Sequence, residues 1–215
     1  MRKRNVLALF LLLASIISLF SLNHLIDKMT TWQNGRLMSA TQYVSPNYCA
    51  REKGEKIHLI VLHNISLAPF TYGSDAVMQL FTNTINPSDD PFFEQLRDVH
   101  VSSHFFVRRD GEIVQFVSCD DMAYHAGVSQ FRGREKCNAF SIGIEIEGCD
   151  FEPFTDKQYA ALNQLMTHIC KQYPIDAITG HQDIAPTRKS DPGHFFDWQR
   201  LTLQHLVVHD NENAA

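Results

Sequence analysis

An α/β fold of the α+β kind is what this sequence predicts: a single domain with a mixed central β-sheet flanked by helices, behind an N-terminal hydrophobic helix. Three observations carry the expectation. Short β-branched runs interleave with helical patterns along the chain. An Asp-Gly pair at 110–111 joins two apolar runs, and residues 155–173 have the signature of a capped amphipathic helix.

Taken in order, the basic leader Arg2-Lys3-Arg4 precedes an apolar run over residues 6–22. That pattern reads as a signal peptide or signal anchor, and the large residues Asn23 to Ile26 leave no small-x-small cleavage site. An uncleaved anchor in the inner membrane is therefore expected, with the leader charges cytoplasmic and the rest of the chain beyond the membrane. The alternative is a start at Met29. Residues 1–28 are taken as the anchor-like segment, 29–56 as an irregular lead-in with turn signals at Asn34-Gly35 and Ser45-Pro46, and 57–208 as the main folded domain.

Residues 57–62 (IHLIVL) form an apolar run read as a buried strand ending at His63. Residues 67–98 are a long irregular insertion with helical patterns at 77–81 and 92–97, and insertions of this length are more often functional than idle. Residues 103–109 and 112–117 flank Asp110-Gly111 as a hairpin. The strand at 141–147 alternates, with Ile142, Ile144 and Ile146 on one face and Glu145 and Glu147 on the other. In the helix at 155–173, Thr155 and Gln158 form a capping box, Tyr159, Leu162, Leu165, Met166, Ile169 and Cys170 mark one face, and Pro174 ends it. Residues 178–180 are a short strand leading to His181, and 198–208 read as a closing amphipathic helix.

Composition narrows the function. Apolar content of 44% can bury a core, which excludes a disordered chain. Beyond residue 28 the chain holds 15 basic against 23 acidic side chains with no basic cluster, which excludes nucleic acid as partner. The five cysteines (49, 119, 137, 149 and 170) are scattered, with no C-x-x-C pair, so neither a disulfide framework nor a thiolate metal site is expected. No G-x-S-x-G elbow, phosphate-binding glycine loop, dinucleotide fingerprint or H-E-x-x-H helix occurs.

Most of the eleven histidines have plain structural readings: His24 at the anchor's edge, His58 and His100 at the surface, and His194, His205 and His209 near the terminal helix. His63 and His181 differ, because each follows a strand-like run, where α/β proteins place their sites. Asp191 lies in the loop that follows His181. Two imidazoles and one carboxylate suit a catalytic zinc with a fourth position for water. Hydrolysis on such a metal would also need a base and an oxyanion partner, for which Glu145 and Lys189 are candidates. The structural alternatives are a solvated strand face for Glu145 and Glu147 and a surface charge for Lys189.

Four blocks then carry a resemblance: VLHNIS at 61–66, SSHFFVRRDGEIVQF at 102–116, HAGVSQFRGREKCNAFSIGIEIEG at 125–148 and TGHQDIAPTRKSDPG at 179–193. In the same order they closely resemble the AmpD-type 1,6-anhydro-N-acetylmuramyl-L-alanine amidases, whose fold is shared with peptidoglycan recognition proteins. The resemblance implies one Zn2+ per chain on His63, His181 and Asp191, with Glu145 as catalytic acid/base and Lys189 as a second catalytic group. It implies substrate contacts at Asn64, Tyr124, His125 and Lys136. Tyr124 stands where the family usually has Trp, and Lys136 where an Arg is expected, which loses a two-pronged grip on carboxylates.

The implied substrate is a muropeptide, cut between N-acetylmuramic acid and L-alanine in peptidoglycan recycling. Alternatives are a non-catalytic peptidoglycan-binding module and an envelope-facing amidase acting on polymeric wall. The resemblance implies a cytoplasmic enzyme, tethered or not by residues 6–22, against the periplasm-facing orientation that the leader suggests. It implies no oligomeric state.

Overall fold

The computed structural model describes residues 31–209, and the chain divides into two compact units at Ser39/Ala40. The anchor-like segment lies outside the described residues, among which no helix is long and apolar enough to cross a membrane. In the first unit Trp32–Gln33 pairs antiparallel with Arg36–Leu37. Asn34 and Gly35 both take positive φ, 49° and 69°, as a two-residue hairpin turn requires.

The second unit is built on a mixed six-stranded sheet. Its strands are β1 (Thr41–Gln42), β2 (Leu59–Ile65), β3 (Phe105–Val107), β4 (Ile113–Gln115), β5 (Ser141–Glu147) and β6 (Ala177–Gly180). Their spatial order is β6-β2-β5-β3-β4-β1, and only the β3–β4 hairpin is antiparallel. The hairpin turns at Asp110-Gly111, as the sequence predicts, with Gly111 at φ 89°. The first strand comes from the stretch expected to be irregular lead-in. Its side chains are exposed, so no apolar alternation announced it.

Parallel register sets which side chains share a face. Glu145 lies opposite His63, Gly143 opposite Val61, and Phe106 beside Glu145. Ile142, Ile144 and Ile146 therefore point to the other face with Ile60, Leu62, Phe105 and Val107, all buried. α2 (Asp156–Gln172) contacts β3 on that side and buries Leu162, Leu165, Met166 and Ile169. Its predicted capping box is present, and the Gln158 amide also donates to the carbonyls of Glu147 and Val107. Cys170, expected on the apolar stripe, is only half-buried at its edge.

The opposite face is covered by loops and short helices, and so has room for a site. The insertion contributes α1 (Ala76–Phe81), introduced after β2 in the chain, and a 3-10 helix at Pro91–Leu96 capped by Asp90. Both helical patterns of the sequence are present, and their apolar residues pack with Phe106, Val114 and Phe116. A second cluster joins Leu59, Val61 and Ala177 to Ala126, Phe131, Phe140 and Ile184.

Two expectations are corrected. β2 does not end at His63 but continues to Ile65, because its pairing with β5 runs on to Glu147. Residues 198–208 are not a helix but two 3-10 turns, Trp198–Arg200 and Gln204–Leu206. The Asn163 side chain holds the join open, accepting from the Thr202 amide and donating to the Arg200 carbonyl. Val207 then bridges to Ile178 as an added strand position.

A buried polar knot beneath the sheet face was not foreseen. The Arg51 guanidinium donates to the carbonyls of Cys119, Asn138, Ala139 and Ser141 and lies 3.1 Å from His104 Nε2. His104 Nδ1 accepts from the Gly143 amide, which leaves Nε2–H to donate to the Asp121 carbonyl. Burial, aided by the Arg51 charge, pushes the His104 pKa down from 6.5 to about 3. The unfolded chain therefore takes up this proton first as pH falls. Stability from His104 is complete above about 6.5 and drains away toward about 3, at about 1.4 kcal/mol per pH unit. Urea denaturation from pH 7 to pH 4 should show that loss. His104→Asn, which can still accept from Gly143, should show a shallower pH dependence, and an unchanged slope would count against the assignment.

Candidate metal centre and catalytic pocket

His63 sits near the end of β2, and His181 is the first residue of α3 (His181–Ile184), directly after β6. The parallel pairing of β6 on β2 brings the two histidines side by side although 118 residues separate them. Asp191 closes the group from the loop after α3, where its carbonyl accepts from the Gln182 amide. The three side chains expected to meet do meet.

Their donor atoms form a near-equilateral triangle. His63 Nδ1 is 3.0 Å from His181 Nδ1 and 3.0 Å from Asp191 Oδ2, and His181 Nδ1 is 3.1 Å from the same oxygen. Three atoms so spaced can all lie about 2 Å from one common point, the usual zinc–nitrogen or zinc–oxygen distance. Both rings are almost wholly buried, at 1% and 2% exposure.

The far side of each ring fixes its tautomer. His181 Nε2 lies 3.0 Å from the Ala126 carbonyl, which can only accept, so the proton sits on Nε2 and Nδ1 keeps its lone pair. His63 Nε2 lies 3.0 Å from His125 Nδ1, and His125 Nε2 lies 3.2 Å from Ser141 Oγ, whose hydroxyl donates to the Cys137 carbonyl. With the serine proton committed to Cys137, Ser141 accepts from His125 and His125 accepts from His63. Both Nδ1 atoms then present lone pairs toward a carboxylate oxygen. Three acceptors at hydrogen-bond distance with no proton between them repel one another, and a cation at their centre removes that repulsion. The donor set fits a divalent metal ion, and His63, His181 and Asp191 form a group that can hold one.

The electrostatics agree. Burial, reinforced by His181, lowers His63 to about 4, and burial puts His125 well below the usual histidine range. For Asp191, burial works to raise the carboxyl, but the His181 and His63 rings against it outweigh burial and hold it well below the ordinary carboxylate range.

Glu145 shares this pocket, a cavity of about 230 Å³ also lined by Asn64, Tyr124, His125 and Lys189. It is 8% exposed, and its Oε2 is buried without a hydrogen-bond partner. Burial, with the Asp191 charge, raises its carboxyl well above the ordinary range, while Lys189 pulls the other way. Glu147, two residues on and on the same face, is the contrast. Its oxygens accept from the Gly73 and Arg109 amides, so it ties two loops to the sheet. Neither glutamate is a solvated strand face. One is consumed by structure and the other is left unpaired beside the metal group.

Lys189 is exposed on the same loop as Asp191 and lines the pocket. Asn64 lines it too, but its amide donates to Asp150 Oδ1 at 2.6 Å and to the Pro192 carbonyl, bracing the Asp191 loop. Tyr124 borders the pocket half-buried. The His125 ring stands edge-on behind His63, at 5.1 Å between centroids. Lys136 is not part of this pocket. It lies in left-handed backbone at φ 62° and lines a separate cavity of about 600 Å³ with Glu135 and Arg188.

Sequence reasoning passed over Ser141, Gly143, Asp150 and the Arg51–His104 knot. Gly143 left a signal, a glycine inside an apolar strand, which marks close approach. A Cβ there would collide with the His125 ring. Gly143→Ala should therefore displace His125 and release His63, weakening metal affinity by about 10- to 100-fold. A zinc competition titration checks this, and wild-type affinity would contradict the relay.

The N-acetylmuramoyl-L-alanine amidase family matches residues 53–194. The chain is similar to the 1,6-anhydro-N-acetylmuramyl-L-alanine amidase AmpD of Enterobacter cloacae, 47% identical over 182 residues, covering 84% of this chain and 97% of that protein. Among solved structures it is similar to a crystal structure of AmpD, at a TM-score of 0.78 and 47% identity over 82% of this chain and 98% of that one. It is also similar to the N-acetylmuramyl-L-alanine amidase AmiD from Escherichia coli, solved with its substrate anhydro-N-acetylmuramic acid-L-Ala-D-gamma-Glu-L-Lys. That match has a TM-score of 0.53 and 29% identity over 74% of this chain and 62% of that one.

Proposed function

The chain belongs to the N-acetylmuramoyl-L-alanine amidase family, and from that premise we propose that it hydrolyses the amide joining 1,6-anhydro-N-acetylmuramic acid to L-alanine in recycled muropeptides. His63, His181 and Asp191 hold one zinc ion in this reading, the donor set of two neutral imidazoles and a carboxylate being one that zinc favours. Held there, such an ion would supply Lewis acidity for the scissile carbonyl and a lowered pKa for a water bound beside it.

The protein's own groups do the rest. Glu145 takes the water's proton on its unpaired Oε2, and the raised affinity of its buried carboxyl for protons favours that transfer. The same oxygen then returns the proton to the alanine nitrogen, so the amine leaves neutral. Lys189, which lines the pocket, supplies positive charge for the carbonyl oxygen as negative charge develops on it. Asn64 and Asp150 fix the loop that carries Asp191 and Lys189, and His125 with Ser141 keeps His63 in its metal-binding tautomer.

The single observation that carries the reading is the unpaired Glu145 oxygen in the same small pocket as three converging metal donors. A binding module has no use for a buried, unsatisfied carboxylate, which costs stability. The test is digestion of a purified anhydro-muropeptide, read by mass spectrometry. Release of the free stem peptide and the anhydro-sugar acid is expected, and an intact muropeptide after prolonged incubation with zinc-loaded protein contradicts it.

A further inference from the structure

Beside the metal pocket a second hollow opens, of about 390 Å³, sharing Asn64, Lys189 and Asp191 with it. Its wall includes two of the most exposed large apolar side chains among the described residues, Phe70 at 58% and Phe151 at 66%. They form a pair, with ring centroids 6.1 Å apart. Burial does not explain either ring.

Phe70 is also held in left-handed backbone, at φ 63°, with its amide donating to Ser66 Oγ. A bulky residue in that region is strained, and strain without compensating burial is a mark of function. Polar groups suited to hydroxyls surround the rings: Ser66, Ser190 and Asp150, whose Oδ1 is already engaged by Asn64. Of the two cations on this wall, Arg188 spends Nη2 on the Ala126 and Val128 carbonyls, while Lys189 also lines the metal pocket. The surface is thus an aromatic platform with a hydroxyl-bearing rim on which two carboxylates, Asp150 and Asp191, balance two cations, Arg188 and Lys189, so that it offers no net charge to an ionic ligand. A pyranose ring has the matching chemistry, with C–H faces for the rings and hydroxyls for the rim.

We propose that Phe70 and Phe151 form the sugar-side subsite of this enzyme, receiving the neutral saccharide while the amide lies over the metal group. The inference rests on the amidase reading for the identity of the saccharide, and on continuity of the two hollows for its position.

Phe151→Ala is the test, because an exposed ring can be removed without unfolding the protein. Two substrates are compared: the anhydro-muropeptide, and an N-lactoyl-L-alanyl peptide that keeps the scissile amide but lacks the sugar ring. KM for the first should rise about tenfold with kcat little changed. KM for the second should not move, and Phe151→Trp should restore the first. An unchanged KM on the muropeptide overturns the platform, as does an equal rise on both substrates, which would assign the rings to the peptide. If wild-type protein cut neither substrate, the amidase reading would fail separately. The platform would then be judged by NMR binding of 1,6-anhydro-N-acetylmuramic acid alone. Binding by wild type that is lost in Phe151→Ala supports it, while absent or equal binding overturns it.

Discussion

Glu145→Gln is expected to retain its zinc and lose turnover by about a thousandfold, the size of effect that removing a general acid–base group produces. The substitution is nearly isosteric and touches none of the three metal donors, so metal content should stay at wild-type level. It replaces a group that can take and return a proton with one that can do neither. Stability supplies an independent check. The carboxyl is buried with one oxygen unpaired and lies near the Asp191 charge, so as an anion it destabilises the fold. The glutamine protein should therefore melt no lower than wild type. Loss of turnover with a melting temperature held or raised is the signature of a residue kept for chemistry. Wild-type kcat in the variant would remove Glu145 from the mechanism.

His181→Ala should lose both metal and activity. The His181 ring provides one corner of the donor triangle and is anchored behind by the Ala126 carbonyl, so no neighbouring side chain can take its place. Two donors remain, and zinc affinity should fall far enough that a gel-filtered sample carries essentially none. Wild-type protein should gain about 4 kcal/mol of stability when free zinc exceeds Kd a thousandfold, and the variant should gain nothing. The measurement is a thermal or urea melt with and without zinc after treatment with a chelator. Equal zinc stabilisation in the two proteins would show that the ion binds elsewhere.

How much of this was legible in the sequence follows from the physics of each part. The hairpin at Asp110-Gly111, the Thr155 capping box and the alternating isoleucines of β5 are local signals, written within a few residues, and each appears in the structure. The metal group is not local, since its histidines meet only because β6 lies parallel to β2. Residue types and strand ends suggested the three donors, and family resemblance singled them out. What the sequence hid are groups defined by what they touch across the chain. Arg51 comes from the expected lead-in, yet its guanidinium satisfies four carbonyls below the sheet. Glu145 and Glu147 look identical in a period-2 pattern, and only the amides of Gly73 and Arg109 tell them apart. The closing helix failed for a similar reason: its pattern was amphipathic, but a side chain on α2 claims the Thr202 amide a helix would need.

The central claim is that two imidazole nitrogens and one carboxylate oxygen share a single zinc ion. X-ray absorption at the zinc edge, on protein with metal content measured by mass spectrometry, tests it most directly. One zinc per chain is expected, with nitrogen and oxygen neighbours at about 2.0–2.1 Å, an imidazole scattering pattern from two rings, and no sulfur shell near about 2.3 Å. A sulfur shell, or full turnover in protein stripped of zinc, would contradict it.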